Sequence, residues 1–282
     1  MYRYGMTQWV MGNEPLEKSF ERLQKCGYDD IEFAADPYGL DPERCLALMK
    51  KYGIGATSLC GMFGSDDRDL SADNADTAIR YLADSVDFAA KLGASTIILV
   101  PSPVGRTAPP ADIPFERLWA NAVRNIRKAA DYAQGKGVRF VVEAINRYET
   151  YFVNTLTKAW KLVQEIDHPA VGIMADTFHM NLEENDFGRS LRMIAPKLWH
   201  VHIADNTREP AGMGRTDFKE LLLQLREIGF QGSVAMEFMP RLANPYGSQG
   251  METASELMDA YAEQALSYMR QMEQALDLAW KK

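Results

Sequence analysis

The chain has 282 residues, 46% hydrophobic and 25% charged, with 31 Lys plus Arg against 39 Asp plus Glu, a formal charge of −8. Such apolar content supports a large core, which excludes a disordered chain and a disulfide-stapled scaffold. The negative balance, with no block of Lys or Arg, speaks against a phosphate-neutralising face and so against nucleic acid as a partner.

The opening residues MYRYGMTQWV carry no cationic segment followed by an apolar one, and no apolar run approaches the roughly 20 residues of a membrane span. Neither a targeting leader nor a membrane segment is expected, and the predicted location is the cytoplasm. Cys26, Cys45 and Cys60 lack C-x-x-C or zinc-finger spacing and suit reduced thiols there.

Short β-rich runs then alternate with stretches of helical period, about eight times over. Strand Tyr4–Trp9 precedes helix Leu16–Lys25, Asp30–Ala34 precedes Pro42–Tyr52, Gly55–Gly61 precedes Ala75–Leu92, and Thr96–Pro101 precedes Phe115–Lys136. Further on, Arg139–Ala144 leads to Leu156–Ile166, Val171–Asp176 to Phe187–Ile194, and Trp199–Ala204 to Phe218–Ile228. Strand Ser233–Phe238 and a long C-terminal helix over about 255–280 complete the series. Gly27, Gly53, Gly93, Gly137 and Gly229 stand just past predicted helix ends, where a left-handed residue stops a helix. Runs such as TIILV at Thr96–Val100 are apolar throughout, as in a parallel sheet covered on both faces. The predicted fold is α/β, a (β/α)₈ TIM barrel forming one domain over 1–282. An open doubly wound sheet is the runner-up, weakened because no G-x-G-x-x-G follows the first strand.

Leu257, Tyr261, Ala265, Tyr268, Met272, Leu276 and Ala279 form one apolar stripe along the last helix. One reading makes this the eighth barrel helix, with Lys281 and Lys282 complementing its dipole. The other has its distal half, Met272, Leu276 and Trp280, meet another subunit, which predicts a homo-oligomer or a complex with a second protein.

Barrel chemistry is carried where strands end. Predicted strand five ends in VVEAIN with Glu143, strand six in GIMAD with Asp176, strand seven reads WHVHIAD with His202, and strand eight AMEFM with Glu237. Each places an ionisable group in apolar surroundings, where an unpaired charge costs several kcal/mol. Singly, a buried Glu is half of an ion pair and a strand His a hydrogen-bonded core residue. Jointly, the four point to one divalent cation held by three carboxylates and an imidazole, a set suited to Mn²⁺ or Mg²⁺, with Co²⁺ as a third option. His200 and His202 share a strand face, so spacing leaves both open as the imidazole ligand. His168, beside Pro169, is expected on the surface, and Asp205 and Asn206 are expected to cap the loop after strand seven.

The stretches EAINRYETYFVN (Glu143–Asn154), DTFHMNLEENDFG (Asp176–Gly188), HVHIADNTREPAGMGR (His200–Arg215) and VAMEF (Val234–Phe238) resemble the xylose-isomerase-like barrels. Within these, the chain is most similar to ketose 3-epimerases of the tagatose/psicose type. The resemblance implies a metal held by Glu143, Asp176, His202 and Glu237, which selects His202 over His200. It further implies substrate contacts from Glu149, His179 and Arg208. The activity implied is proton abstraction beside a sugar carbonyl through a metal-stabilised enediolate, with Glu143 and Glu237 as the acid–base pair on opposite faces of the sugar.

Two segments depart from the family pattern. After strand four the family's aromatic residues are replaced by VPSPVGRTAPP (Val100–Pro110), and after strand eight its glycine-rich segment by MPRLANPYGSQGMETASE (Met239–Glu256). Both are expected to border the substrate mouth, so the substrate is a keto sugar or a larger keto-glycoside. The alternative activity is that of the catalytic subunit of C-glycoside deglycosidases, which pair a related barrel with a smaller subunit and expel an aglycone after the same proton abstraction. Hydroxypyruvate isomerases and inosose-processing enzymes are further relatives of this kind. A non-catalytic sugar-binding barrel would have no use for two metal-ligating glutamates, and four histidines are few for a multi-zinc endonuclease.

Overall fold

The computed structural model describes residues 1–241 and 252–280, with the side chains of 252–254 and 279–280 outside that description. Eight strands close a barrel in chain order, each parallel to its neighbours, with β1 (Tyr4–Thr7) completing the circle against β8 (Ser233–Met236). Between them lie β2 (Asp30–Ala34), β3 (Gly55–Cys60), β4 (Thr96–Leu99), β5 (Arg139–Glu143), β6 (Val171–Asp176) and β7 (Leu198–Ile203). Helices α1 (Leu16–Cys26), α2 (Pro42–Tyr52), α3 (Asp76–Leu92), α4 (Phe115–Gly135) and α5 (Leu156–Ile166) follow the first five strands in turn. Helices α6 (Thr177–Glu183) and α7 (Phe187–Ile194) both follow β6, α8 (Phe218–Glu227) follows β7, and α9 (Glu252–Trp280) ends the chain. The barrel is thus the one the alternation predicts.

Strand alternation separates two apolar layers. Ile97 and Leu99 of β4, Phe140 and Val142 of β5, and Ile173 and Ala175 of β6 join the large core shared with the helices. Their sequence neighbours Ile98, Val141 and Met174 form a separate small cluster. Two residues beyond Val141 and Met174, on the same strand faces, stand Glu143 and Asp176. The layer that fills the barrel therefore also aims these carboxylates at its mouth.

Helix ends follow the predicted punctuation. Gly53 closes α2 at φ 68°, where a side chain would be strained, and its N–H returns to Met49 O. Asp41 caps the start of the same helix by accepting from Glu43 N at 3.1 Å.

Four expectations change. β1 stops at Thr7 because Trp9–Met11 turn into a short 3₁₀ helix, and Glu237 lies one residue past β8. Helix α6 was not predicted, since TFHMNLE is short and has no long apolar stripe. His168 is buried rather than exposed: its Nδ1 accepts from Ala170 N at 3.1 Å and its Nε2 lies 3.2 Å from Asp131 Oδ1, so both ring nitrogens are satisfied. For α9 the first of the two readings holds, that of the eighth barrel helix, because its distal half packs on its own barrel. Leu276 is buried, Met272 packs against the core, Glu273 accepts from Tyr2 N at 2.8 Å, and Arg270 reaches Asp29 at 3.1 Å. Trp280's side chain, together with Lys281, Lys282 and most of the altered segment after β8, lies outside the described residues.

Among the described residues, no helix is long and apolar enough to cross a membrane. The three cysteines are unpaired, and burial pushes the Cys45 thiol up to about 11.

At Gly172 of β6 an added Cβ would stand 2.3 Å from the Trp199 ring and 2.7 Å from Lys197 O. The backbone oxygen gives way only by moving the start of β7. Gly172→Ala is expected to destabilise the chain by about 1–3 kcal/mol, read as a lowered midpoint in urea unfolding.

Candidate metal centre and active site

Four side chains converge at the C-terminal mouth of the barrel. Glu143 and Asp176 end β5 and β6, His202 is the penultimate residue of β7, and Glu237 follows β8. Asp176 stands opposite His202 in the β6–β7 register. The four are buried and each brings a ligand atom within 4.8 Å of the others. These are the residues that the strand-end reading selected.

The cluster's electrostatics are uneven. Burial and then the charge of Glu237, with Asp176 adding, push Glu143 well above the usual carboxylate range. Burial acts the same way on Asp176, but Arg208, His179 and His202 outweigh it and hold that carboxyl well below its range.

His202 tests whether a cation fits. Its Nε2 lies 2.8 Å from Glu32 Oε1 in a hydrogen bond. Its Nδ1 is buried with no hydrogen-bond partner, although Glu237 Oε2 is 3.1 Å away and Asp176 Oδ2 3.8 Å away. An imidazole nitrogen facing carboxylate oxygens without a well-aligned proton between them fits a shared cation. The oxygen-rich set with one nitrogen suits a hard divalent ion.

Asp176 also builds the wall beside it. Its Oδ1 accepts from Phe178 N at 2.7 Å and His179 N at 3.2 Å, capping α6, while Oδ2 faces the cluster. That cap places His179 with Nε2 at 3.7 Å from Glu143 Oε1 and 4.0 Å from Asp176 Oδ2. Asn146 Nδ2 lies 2.8 Å from both His179 Nδ1 and Glu149 Oε1. The amide donates to Nδ1, which leaves the His179 N–H on Nε2 and directs it inward. Glu149 and His179 are thereby brought to one amide.

Arg208 is buried and reaches Asp176 Oδ2 at 3.2 Å and Glu237 Oε2 at 2.7 Å, with its guanidinium over the Phe178 ring. Its backbone is left-handed at φ 64°, a conformation that costs a non-glycine residue about 1–3 kcal/mol. Two contacts hold it there: Arg208 N donates to Asp205 O at 2.9 Å, and Met239 N donates to Arg208 O at 2.7 Å. Asp205, expected to cap this loop, does so with its carboxylate, accepting from the backbone of Asn206, Gly212, Gly214 and Thr216. Asn206 accepts in turn from Arg215 N at 2.7 Å.

The altered segment after β4 borders this region, as expected. Gly105 N donates to Glu149 O at 2.7 Å, and Arg106 pairs with Asp66 and Asp69 of the loop after β3.

Residues 20–272 match the model of the xylose isomerase-like TIM barrel family. The chain belongs to that family. It is 29% identical to a D-psicose 3-epimerase of Ruminiclostridium cellulolyticum over 95% of each chain. A ketose 3-epimerase of Arthrobacter globiformis is 31% identical over 79% of this chain and 78% of its own. Among solved structures, a 3-keto-D-glucoside 4-epimerase from Escherichia coli superimposes with a TM-score of 0.82 at 25% identity, covering 96% of this chain and all (100%) of its own. Its family membership and these epimerase relatives make the chain an enzyme of the xylose isomerase-like superfamily.

Three contacts of the site escaped the sequence reading. Trp9 Nε1 donates to Glu237 Oε1 at 2.8 Å from the 3₁₀ turn that was read as strand. Asn146 lies inside the quoted EAINR motif but carries no charge to single it out. Glu32, in the apolar run of β2, meets the very criterion applied to the other strands, and only its mid-strand position kept it from view.

A cation entering this cluster must displace the proton that Glu143 holds below its raised pKa, and the extra proton of His202, whose pKa the charges of Glu32 and Glu237 raise against the effect of burial. Affinity for a divalent ion is therefore expected to rise as pH climbs through the range above ordinary carboxylates and on above that of an ordinary imidazole, then to level off. Calorimetric titration with Mn²⁺ in buffers of differing ionisation enthalpy checks this, the expected result being net proton release.

Proposed function

We propose that the chain is a ketose 3-epimerase dependent on a divalent cation, Mn²⁺ ahead of Mg²⁺ and Co²⁺, held by Glu143, Asp176, His202 and Glu237. The observation that carries this reading is the presence of two buried glutamates, Glu143 and Glu237, in one cluster with ligand atoms within 4.8 Å. A bound cation supplies Lewis acidity that offsets the charge developing on a carbonyl oxygen as the neighbouring C–H is lost. The remaining work falls to the side chains. One glutamate removes the C3 proton from one face, the other delivers a proton to the opposite face, and the two exchange roles in the reverse direction. His179 offers its Nε2–H to a substrate oxygen, Glu149 accepts from a hydroxyl, and Arg208 turns its guanidinium from the carboxylates toward the sugar.

The relatives include proteins named for free ketoses and others named for keto-glycosides, one of them a 3-dehydro-D-guloside 4-epimerase. A keto-glycoside substrate for this chain is therefore the second reading, with C-glycoside cleavage as its extreme form. Incubation in D₂O with ketoses and 3-keto-glycosides separates the two: deuterium at C3 without cleavage is expected, and aglycone release would replace the epimerase reading with the deglycosidase one.

Asp176→Ala and His202→Ala are each expected to abolish stoichiometric Mn²⁺ uptake, measured by elemental analysis after gel filtration. Glu143→Gln and Glu237→Gln are each expected to slow proton exchange at least about 10²-fold, the scale of a general acid–base group. Near-full exchange in either variant would reduce that residue to a structural role.

A homo-oligomer or a complex with a smaller subunit is part of this proposal and is read by light scattering. Leu276 and Met272 contribute little to such a surface, since they pack on the chain's own core.

A further inference from the structure

A second buried group lies beneath the first: Glu32, His200 and His202, with ligand atoms close enough to invite a metal. The hydrogen-bond pattern argues for protons instead. Ser58 Oγ donates to Glu32 Oε2 at 2.6 Å, and the Ser233 hydroxyl lies 2.6 Å from His200 Nδ1. With Ser233 donating to Nδ1, the His200 N–H sits on Nε2, which lies 2.8 Å from Glu32 Oε2. The other oxygen, Oε1, is 2.8 Å from His202 Nε2. A neutral imidazole has a single lone pair on nitrogen. If His202 spent it on a cation in the lower group, Nδ1 would carry its proton into the carboxylate cluster and the upper set would lose its only nitrogen ligand.

We propose that Glu32 is a positioning residue that selects the tautomer of His202. Its Oε1 accepts the Nε2–H and so leaves the Nδ1 lone pair facing Glu143, Asp176 and Glu237. Ser58 holds the carboxylate by a hydrogen bond, and His200 Nε2 lies beside the same oxygen at 2.8 Å without an aligned hydrogen bond; Glu32 itself is neither ligand nor substrate contact in this arrangement. The barrel makes the contact possible because only β1 and β8 separate β2 from β7 around it, and both strands turn these residues to its interior. The 170 residues separating Glu32 from His202 hide the pairing from any local motif. Outer partners of metal-bound imidazoles commonly govern affinity by about 10–100-fold.

The proposal rests on the metal-centre reading above, and the test separates the two. Mn²⁺ affinity is measured by calorimetry for the wild type, Glu32→Gln and Glu32→Leu, and histidine ring tautomers are read by ¹⁵N NMR in the Mg²⁺-loaded wild type. We expect His202 protonated on Nε2 and not on Nδ1, and Mn²⁺ binding weakened about 10–100-fold in Glu32→Leu. Glu32→Gln is expected to bind more tightly than Glu32→Leu, since its amide oxygen still accepts from one ring. A folded Glu32→Leu that binds Mn²⁺ like the wild type overturns the proposal. A wild-type His202 protonated on Nδ1 does so as well, and needs no variant to fold. Wild-type protein that takes up neither ion overturns the metal centre itself and this proposal with it, whereas uptake with unchanged variants overturns the role of Glu32 alone.

Discussion

Three carboxylates share one buried space at the mouth of the barrel, and the surrounding architecture answers that electrostatic problem. Removing one such charge from water costs several kcal/mol unless a partner compensates it. The barrel supplies compensation from several directions. Arg208 comes from the loop after β7, His202 from β7 itself, Trp9 from the turn after β1, and the α6 backbone N–H groups from behind Asp176. The outcome is uneven: burial and Glu237 push Glu143 above the usual carboxylate range, whereas Arg208 and the neighbouring histidines hold Asp176 below it against the effect of burial. Such a set of three buried carboxylates and one imidazole could hold a metal ion.

Rigidity around the cluster follows from residues that serve two purposes. Asp176 is at once strand end, helix cap and candidate ligand, so the position of His179 is tied to the cluster through a single side chain. Asp205 gathers four backbone N–H groups and thereby fixes the loop that forces Arg208 into a left-handed backbone. Strain at Arg208 persists because both sides of its peptide are hydrogen-bonded. Such overdetermination of the backbone, with the side chain bonded to Asp176 and Glu237, keeps the guanidinium at the cluster.

The relatives place this chemistry in a family whose members are named for different sugars and different carbon centres. Chemistry and specificity are separable in this fold, because strand ends carry the first and loops the second. The segment after β4 is pinned between Glu149 and the β3 loop.

Much was legible in the sequence by itself. Apolar strands alternating with amphipathic helices dictate a parallel barrel, and charged groups at strand ends are physically intolerable unless they meet. That reasoning located Glu143, Asp176 and Glu237 and narrowed the imidazole to His200 or His202, since each breaks a local apolar pattern and local patterns are what a sequence displays; the family resemblance, not the spacing, selected His202. Tertiary structure alone decided the rest. Glu32 lies 170 positions from the imidazole it contacts, Trp9 sits 228 from Glu237, and His168 is buried by Asp131 on a neighbouring helix. The fate of α9 belongs here too, because an apolar stripe looks the same whether it covers its own barrel or another chain, and only the contacts of Glu273, Arg270 and Leu276 distinguish them. Periodicity is a property of neighbours along the chain, whereas hydrogen-bond partners and compensating charges are properties of neighbours in space, and closing the barrel is what brings the two together.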